Sequence, residues 1–214
     1  MQGEIKTIQL SLPFGMGQVN CYLIKTETGY ILIDTAGSNK RRALVCALEN
    51  AGCKPGMLKL IILTHGDFDH TGNAVYLREE YGAQIAMHPD DAGMLERGDM
   101  FIGRQQPNFI LRKLIPLLTG FGSEERGALD MLLRDGEHLS GYGLDARILS
   151  TPGHSKGSIA ILTARGELFC GDLLENVKKP ALGSIMDDVP TANASLAKLK
   201  GIPVTRVYPG HGKP

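Results

Sequence analysis

The sequence predicts an α/β (α+β) layered fold forming one domain over residues 1–214, with its chemistry gathered where strands end. Three observations carry this. First, short apolar runs that read as buried strands, such as Leu60-Ile61-Ile62-Leu63, alternate with stretches of helical period. Second, four such runs lead into turns bearing His or Asp: Thr64-His65-Gly66-Asp67-Phe68-Asp69-His70, Thr151-Pro152-Gly153-His154-Ser155, Phe169-Cys170-Gly171-Asp172 and Tyr208-Pro209-Gly210-His211-Gly212. Third, 214 residues with 43% hydrophobic and 21% charged side chains suffice for one substantial core of ordinary globular composition.

The elements follow in order. Residues 5–12, 19–25 and 30–34 read as strands, with Thr28-Gly29 turning between the last two. Ser38 is the expected N-cap of a helix with Leu44, Ala47 and Leu48 on its apolar face, stopped by Gly52. After the 60–63 strand and its His/Asp turn, residues 73–81 read as a helix and 84–87 as a strand. Residues 90–136 are strongly apolar but broken by glycine and proline, so short helices joined by turns are expected. This insertion reads equally as a cap over a cleft, a helical pair packed on the core, or the surface of a homodimer. Strands are expected at 146–149, 158–163 and 168–170, then a loop over 173–190 carrying Lys178-Lys179. A helix capped by Thr191 and a last strand at 204–208 close the chain.

Composition narrows the partners. Lys+Arg 23 balance Asp+Glu 23, so neither nucleic acid nor an anionic membrane is favoured, which leaves a small-molecule substrate, with any apolar part resting on the insertion. The N-terminus lacks an apolar signal region, and no apolar run is long enough to span a bilayer. Cys21, Cys46, Cys53 and Cys170 show no CxxC spacing, which fits reduced thiols in a cytoplasmic protein.

The His65–His70 turn is the densest chemistry. Alternate side chains of an extended segment share a face, so His65, Asp67 and Asp69 converge, and the turn brings His70 round. Two carboxylates and two imidazoles crowded together are costly without a cation, and a divalent metal removes that cost. Imidazole and carboxylate donors suit zinc, iron or manganese. Of the six histidines, His88 and His138 lack such neighbours and read as structural or exposed.

Five motifs in order resemble the metallo-β-lactamase superfamily over nearly the whole chain: Leu32-Ile33-Asp34-Thr35, the His65–His70 turn, Pro152-Gly153-His154, Gly171-Asp172 and Pro209-Gly210-His211. The resemblance implies that superfamily's four-layer αβ/βα sandwich and two divalent metal ions. His65, Asp67 and His154 would hold one ion, Asp69, His70 and His211 the other, and Asp172 would bridge them. Asp34 would support the metal loops by hydrogen bonding, and Asp69 would also orient the nucleophile or relay a proton. The implied reaction is hydrolysis of an ester-like bond, in a thioester, lactone or related small substrate, by a hydroxide shared between the ions. The usual motif is His-x-His-x-Asp-His, and here Asp67 stands where the second His is expected. A carboxylate adds negative charge and a hard donor, which shifts preference from zinc towards iron or manganese and lowers Lewis acidity. The position is also acidic in the superfamily's di-iron flavoproteins, whose flavodoxin domain has no counterpart here. A di-iron, oxygen-reacting protein and a non-catalytic metal binder are therefore the alternative readings.

Overall fold

β1 (Ile5–Ser11) and β2 (Gln18–Lys25) pair antiparallel along their length, from Ile5 opposite Ile24 to Ser11 opposite Gln18. The computed structural model, which describes residues 3–12, 17–104 and 125–214, continues with β3 (Tyr30–Ile33), antiparallel to β2. A 3-10 turn at Ser38–Lys40 leads into α1 (Arg41–Asn50). Next come β4 (Leu58–Ile62), the single turn α2 (Phe68–Thr71), α3 (Ala74–Tyr81), β5 (Gln84–Met87) and α4 (Pro89–Arg97). The remaining elements are β6 (Met131–Leu132), β7 (Ala146–Ser150), β8 (Ile159–Thr163), β9 (Glu167–Asn176), β10 (Ala181–Leu182), α5 (Val189–Lys200) and β11 (Arg206–Gly212).

The strands join in the order β6-β5-β4-β3-β2-β11-β9-β8-β7, with β1 beside β2 and β10 beside β9. β3 to β6 run parallel, and so do β9 and β11. The halves meet where β11 reaches β2, His211 opposite Val19.

Strand alternation divides the apolar side chains among three cores, and three cores separate four layers. Leu32, Ile61 and Ile85 lie in one core with Leu44 and Leu48 of α1 and Leu77 of α3. Their sequence neighbours Ile31, Ile33, Leu60 and Ile62 lie in a second core with Ile148, Ile161, Phe169 and Tyr208 of the other half. Leu149, Ala160, Leu162 and Leu168 share the third with Ala192 and Leu199 of α5. This is a four-layer αβ/βα sandwich, as the resemblance implies. Tyr22, Phe169 and Tyr208 pack ring to ring across the seam, with centroids 4.7–5.3 Å apart.

Several local expectations differ. α5 begins at Val189 and is capped by Asp188, whose carboxylate accepts from Thr191 N–H at 2.9 Å; Pro190 in the first turn fits that start, so Thr191 is not the cap. Ser38 opens the 3-10 turn before α1 rather than capping the helix. β9 runs on through Asp172 to Asn176, and β10 pairs with it inside the expected loop. β11 likewise continues through His211, because parallel pairing with β9 extends it. At the ends of the expected insertion, α4 buries Met94 and Leu95, and Met131–Leu132 adds an edge strand. The apolar run 105–124 lies outside the described residues.

Candidate metal centre

The candidate ligands lie where β4, β7, β9 and β11 deliver them, on one side of the sandwich. β4 ends at Ile62, the chain bends at Thr64 and His65 and is extended at Asp67, and α2 then carries Asp69 and His70 inward. His154 follows β7 in a tight loop, where Gly153 has φ +141° and a Cβ would strike Ala192 of α5. Asp172 projects from β9 just after Gly171 (φ +50°), and His211 from the irregular end of β11.

Each of the four histidines has its Nδ1 committed elsewhere. His154 Nδ1–H donates to the Ile185 carbonyl at 2.7 Å, and His211 Nδ1–H to the Gln18 carbonyl at 2.8 Å. His70 Nδ1–H donates to Asp34 Oδ2 at 2.9 Å. The Thr64 hydroxyl donates to Asp34 Oδ2 at 2.8 Å, which leaves its oxygen to accept from His65 Nδ1–H at 2.9 Å. These bonds engage every Nδ1 and turn every Nε2 toward the centre, where it can serve as a ligand once unprotonated. Asp34 also accepts from Thr64 N–H at 2.8 Å, and it does so from a left-handed backbone with φ +58°. Thr35 and Asn73 complete the support: Thr35 N–H donates to the His70 carbonyl at 2.7 Å, and the Asn73 amide to the Thr35 carbonyl at 2.7 Å.

Two donor groups result: His65, His154 and Asp172, and Asp69, His70 and His211, each with ligand atoms within 4.8 Å of one another. Asp67 Oδ2 lies 3.0 Å from His154 Nε2 and 3.7 Å from His65 Nε2, beside the first group. Asp172 reaches both groups, 3.9 Å from His65 Nε2, 3.4 Å from His70 Nε2 and 3.1 Å from His211 Nε2. Asp69 Oδ2 is 3.5 Å from His211 Nε2. All seven candidate ligands are thus brought together, with Asp34 behind them. His88 instead caps α4, accepting from Asp90 N–H, and His138 is exposed.

The electrostatics are those of a strongly coupled array. Burial, with His70 and His154 alongside, pushes His65 below its ordinary value. Burial opposes charge on His154 and His211 too, but Asp67 and Asp172 respectively outweigh it and raise both to about 9. Burial disfavours the charged forms of Asp67 and Asp172 as well. His154 beside the first, and His70 with His211 beside the second, hold both carboxyls well below the usual range.

A divalent ion fits this set. His65 Nε2 and Asp172 Oδ1 are buried without a hydrogen-bond partner, and His70 Nε2 faces His211 Nε2 at 3.4 Å. Imidazole and carboxylate donors crowd together there, which is favourable around a cation and costly otherwise. Gly210 matters for the same reason, since a Cβ there would run into Asp172 and His70.

Two further residues escaped the sequence reading. Asp91, fully buried at the start of α4, accepts from Gly66 N–H (3.1 Å), Gly157 N–H (2.8 Å) and the Ser155 hydroxyl (2.6 Å). It ties the His65 loop to the His154 loop. Arg104 sets one guanidinium nitrogen on Asp67 Oδ1 and another on the His154 carbonyl at 3.2 Å, with its Nε 2.9 Å from Asp187. Neither carries a local signal. Asp91 reads as an ordinary first-turn acid and Arg104 as a lone cation in a glycine-rich stretch.

Comparison with known proteins agrees with this architecture. A family described as the metallo-beta-lactamase superfamily matches residues 14–211. A protein of Methanocaldococcus jannaschii named "Probable metallo-hydrolase MJ0888" is 33% identical over 210 residues, 91% of this chain and 87% of its own. "Hydroxyacylglutathione hydrolase GloC" of Haemophilus influenzae is 30% identical over 165 residues, 76% of this chain and 70% of its own. The uncharacterized YobT of Bacillus subtilis is 29% identical over 158 residues, 73% of this chain but only 62% of that relative's length. Among solved structures, TTHA1623 in a di-iron-bound form is similar with TM-score 0.71 and 27% identity, over 97% of this chain and 92% of that one.

Proposed function

This chain belongs to the metallo-β-lactamase superfamily, and from that premise we propose that it uses two divalent metal ions to hydrolyse an ester-like bond in a small substrate, a thioester first among the candidates. That it is a metal-dependent hydrolase follows from its family and its named relatives. The two-ion reading rests chiefly on one observation: four imidazole Nε2 atoms, each with its Nδ1 engaged elsewhere, face Asp67, Asp69 and Asp172.

In this reading His65, Asp67 and His154 would hold one ion and Asp69, His70 and His211 the other, with Asp172 within reach of both groups. Bound zinc, iron or manganese supplies Lewis acidity toward the substrate carbonyl and a nucleophile from water near neutral pH. The chain's own groups do the rest. Asp34 and Thr64 keep the His70 and His65 rings aimed. Asp69, facing His211, accepts the proton released as water attacks and passes it towards the leaving group. Ile185, whose carbonyl holds His154, leaves its side chain 69% exposed, and Val177 and Val189 are exposed on the same stretch; these surfaces support an apolar part in the substrate.

The name of GloC supports acyl–thiol cleavage, because a hydroxyacylglutathione is a thioester. The experiment is a panel of acyl thioesters, lactones and simple esters offered to the metal-loaded and the chelator-stripped protein. Thioester turnover that disappears with the metal and returns with it is expected. Loaded protein that cleaves none of the panel contradicts the proposal. The carboxylate Asp67 and the di-iron-bound form of TTHA1623 support a second reading as an oxygen-reacting di-iron protein. Oxygen uptake by the iron-loaded protein, with no ester cleavage, would select it.

A further inference from the structure

Asp67 stands where an imidazole is usual, yet it does not stand alone. Its Oδ1 meets a guanidinium nitrogen of Arg104, while its Oδ2 turns to His154 Nε2 at 3.0 Å and His65 Nε2 at 3.7 Å. The Arg104 side chain is only 6% exposed, and its remaining contacts are the His154 carbonyl and Asp187, the latter on the more open side at 30% exposure. The fork therefore does two things. It takes one carboxylate oxygen out of use, so that Asp67 offers the centre a single donor atom, as an imidazole would. It also sets a positive charge, shared with Asp187, against that carboxylate at contact distance in a buried site, where charges are weakly screened.

We propose that Arg104 is a positioning and charge-setting residue that makes Asp67 behave electrically as a neutral ligand, so that Asp67 and Arg104 together replace the missing histidine. The proposal rests on the two-ion reading above. It makes a prediction opposite to the one Asp67 alone would suggest. Asp67→His restores the usual motif but leaves Arg104, with Asp187 as its remaining carboxylate partner, beside the ion. Binding of that ion should weaken by about tenfold or more. Arg104→Met leaves an uncompensated carboxylate, and the same ion should bind about tenfold more tightly, manganese gaining more than zinc. The double variant returns to net neutrality and should lie within about threefold of the wild type, a coupling that independent sites would not show. Arg104→Lys keeps the charge and should stay near the wild type.

The test titrates the metal-free full-length variants with zinc and with manganese against a chromophoric chelator, reading the number of equivalents and the affinity of each. Thermal unfolding checks that each variant is folded. Should Arg104→Met fail to fold, Asp67→His and Arg104→Lys still decide, since Asp187 remains to pair Arg104 in the former. Asp67→His binding both ions as tightly as the wild type overturns the proposal. So does Arg104→Lys behaving as Arg104→Met, which would make the effect one of shape. Two equivalents in the wild type with additive single variants overturns this proposal alone. One equivalent in the wild type overturns the two-ion reading and this proposal with it.

Discussion

At the scale of single residues, the centre is governed by what lies behind the ligands. Asp34 gathers a backbone N–H, the Thr64 hydroxyl and the His70 ring, and through Thr64 it also orients His65. Two imidazoles on different elements therefore depend on one carboxylate held in a left-handed conformation. Thr64→Val keeps the shape but removes the acceptor of His65 Nδ1–H. A chelator titration should show metal affinity falling about 10-fold or more, the usual size for such supporting contacts. Unchanged affinity would mean that the tautomer of His65 is set by something else. The residues that gather at the centre, and Asp34 behind them, were legible in the sequence because their motifs are local. Thr64 was quoted in its motif without a role, since its function depends on Asp34, thirty positions earlier.

At the scale of elements, loops bearing ligands must be held to one another, and Asp91 does this from the first turn of α4. Asp91→Ala would leave the Gly66 and Gly157 N–H groups buried without partners. Each such loss costs about 1–3 kcal/mol, so chemical denaturation should show a loss of at least about 2 kcal/mol. Metal affinity should fall at the same time, because the clip joins the His65 and His154 loops. A stability change within about 0.5 kcal/mol would assign Asp91 no such role. Strand existence was legible from apolar runs and period-2 alternation, as Ile31-Leu32-Ile33 and Leu60-Ile61-Ile62 illustrate by feeding two cores at once. Strand ends were not, because β9 and β11 are extended by pairing with each other and not by their own residues. The same limit bears on the charge argument. Asp67 read alone adds a negative charge to the centre, and only the fold reveals Arg104, 37 positions later, against it.

At the scale of the whole molecule, helix layers enclose two sheet halves that meet along the seam of β2 and β11. Tyr22 packs there against Phe169 and Tyr208, and its hydroxyl donates to the Pro209 carbonyl at 2.5 Å. Asn20 adds bonds to the Pro209 and Gly212 carbonyls at 2.9 and 2.8 Å, so the segment carrying His211 is fastened to the opposite half. Among the described residues no helix is long and apolar enough to cross a membrane. The centre thus draws candidate ligands from both halves, His65 to His70 from one and His154, Asp172 and His211 from the other. The two-ion reading puts a pair of ions between them. Elemental analysis of the purified wild-type chain, counted per molecule, tests this most directly. Two equivalents of zinc, iron or manganese are predicted, and one equivalent or none after incubation with excess metal would contradict the account.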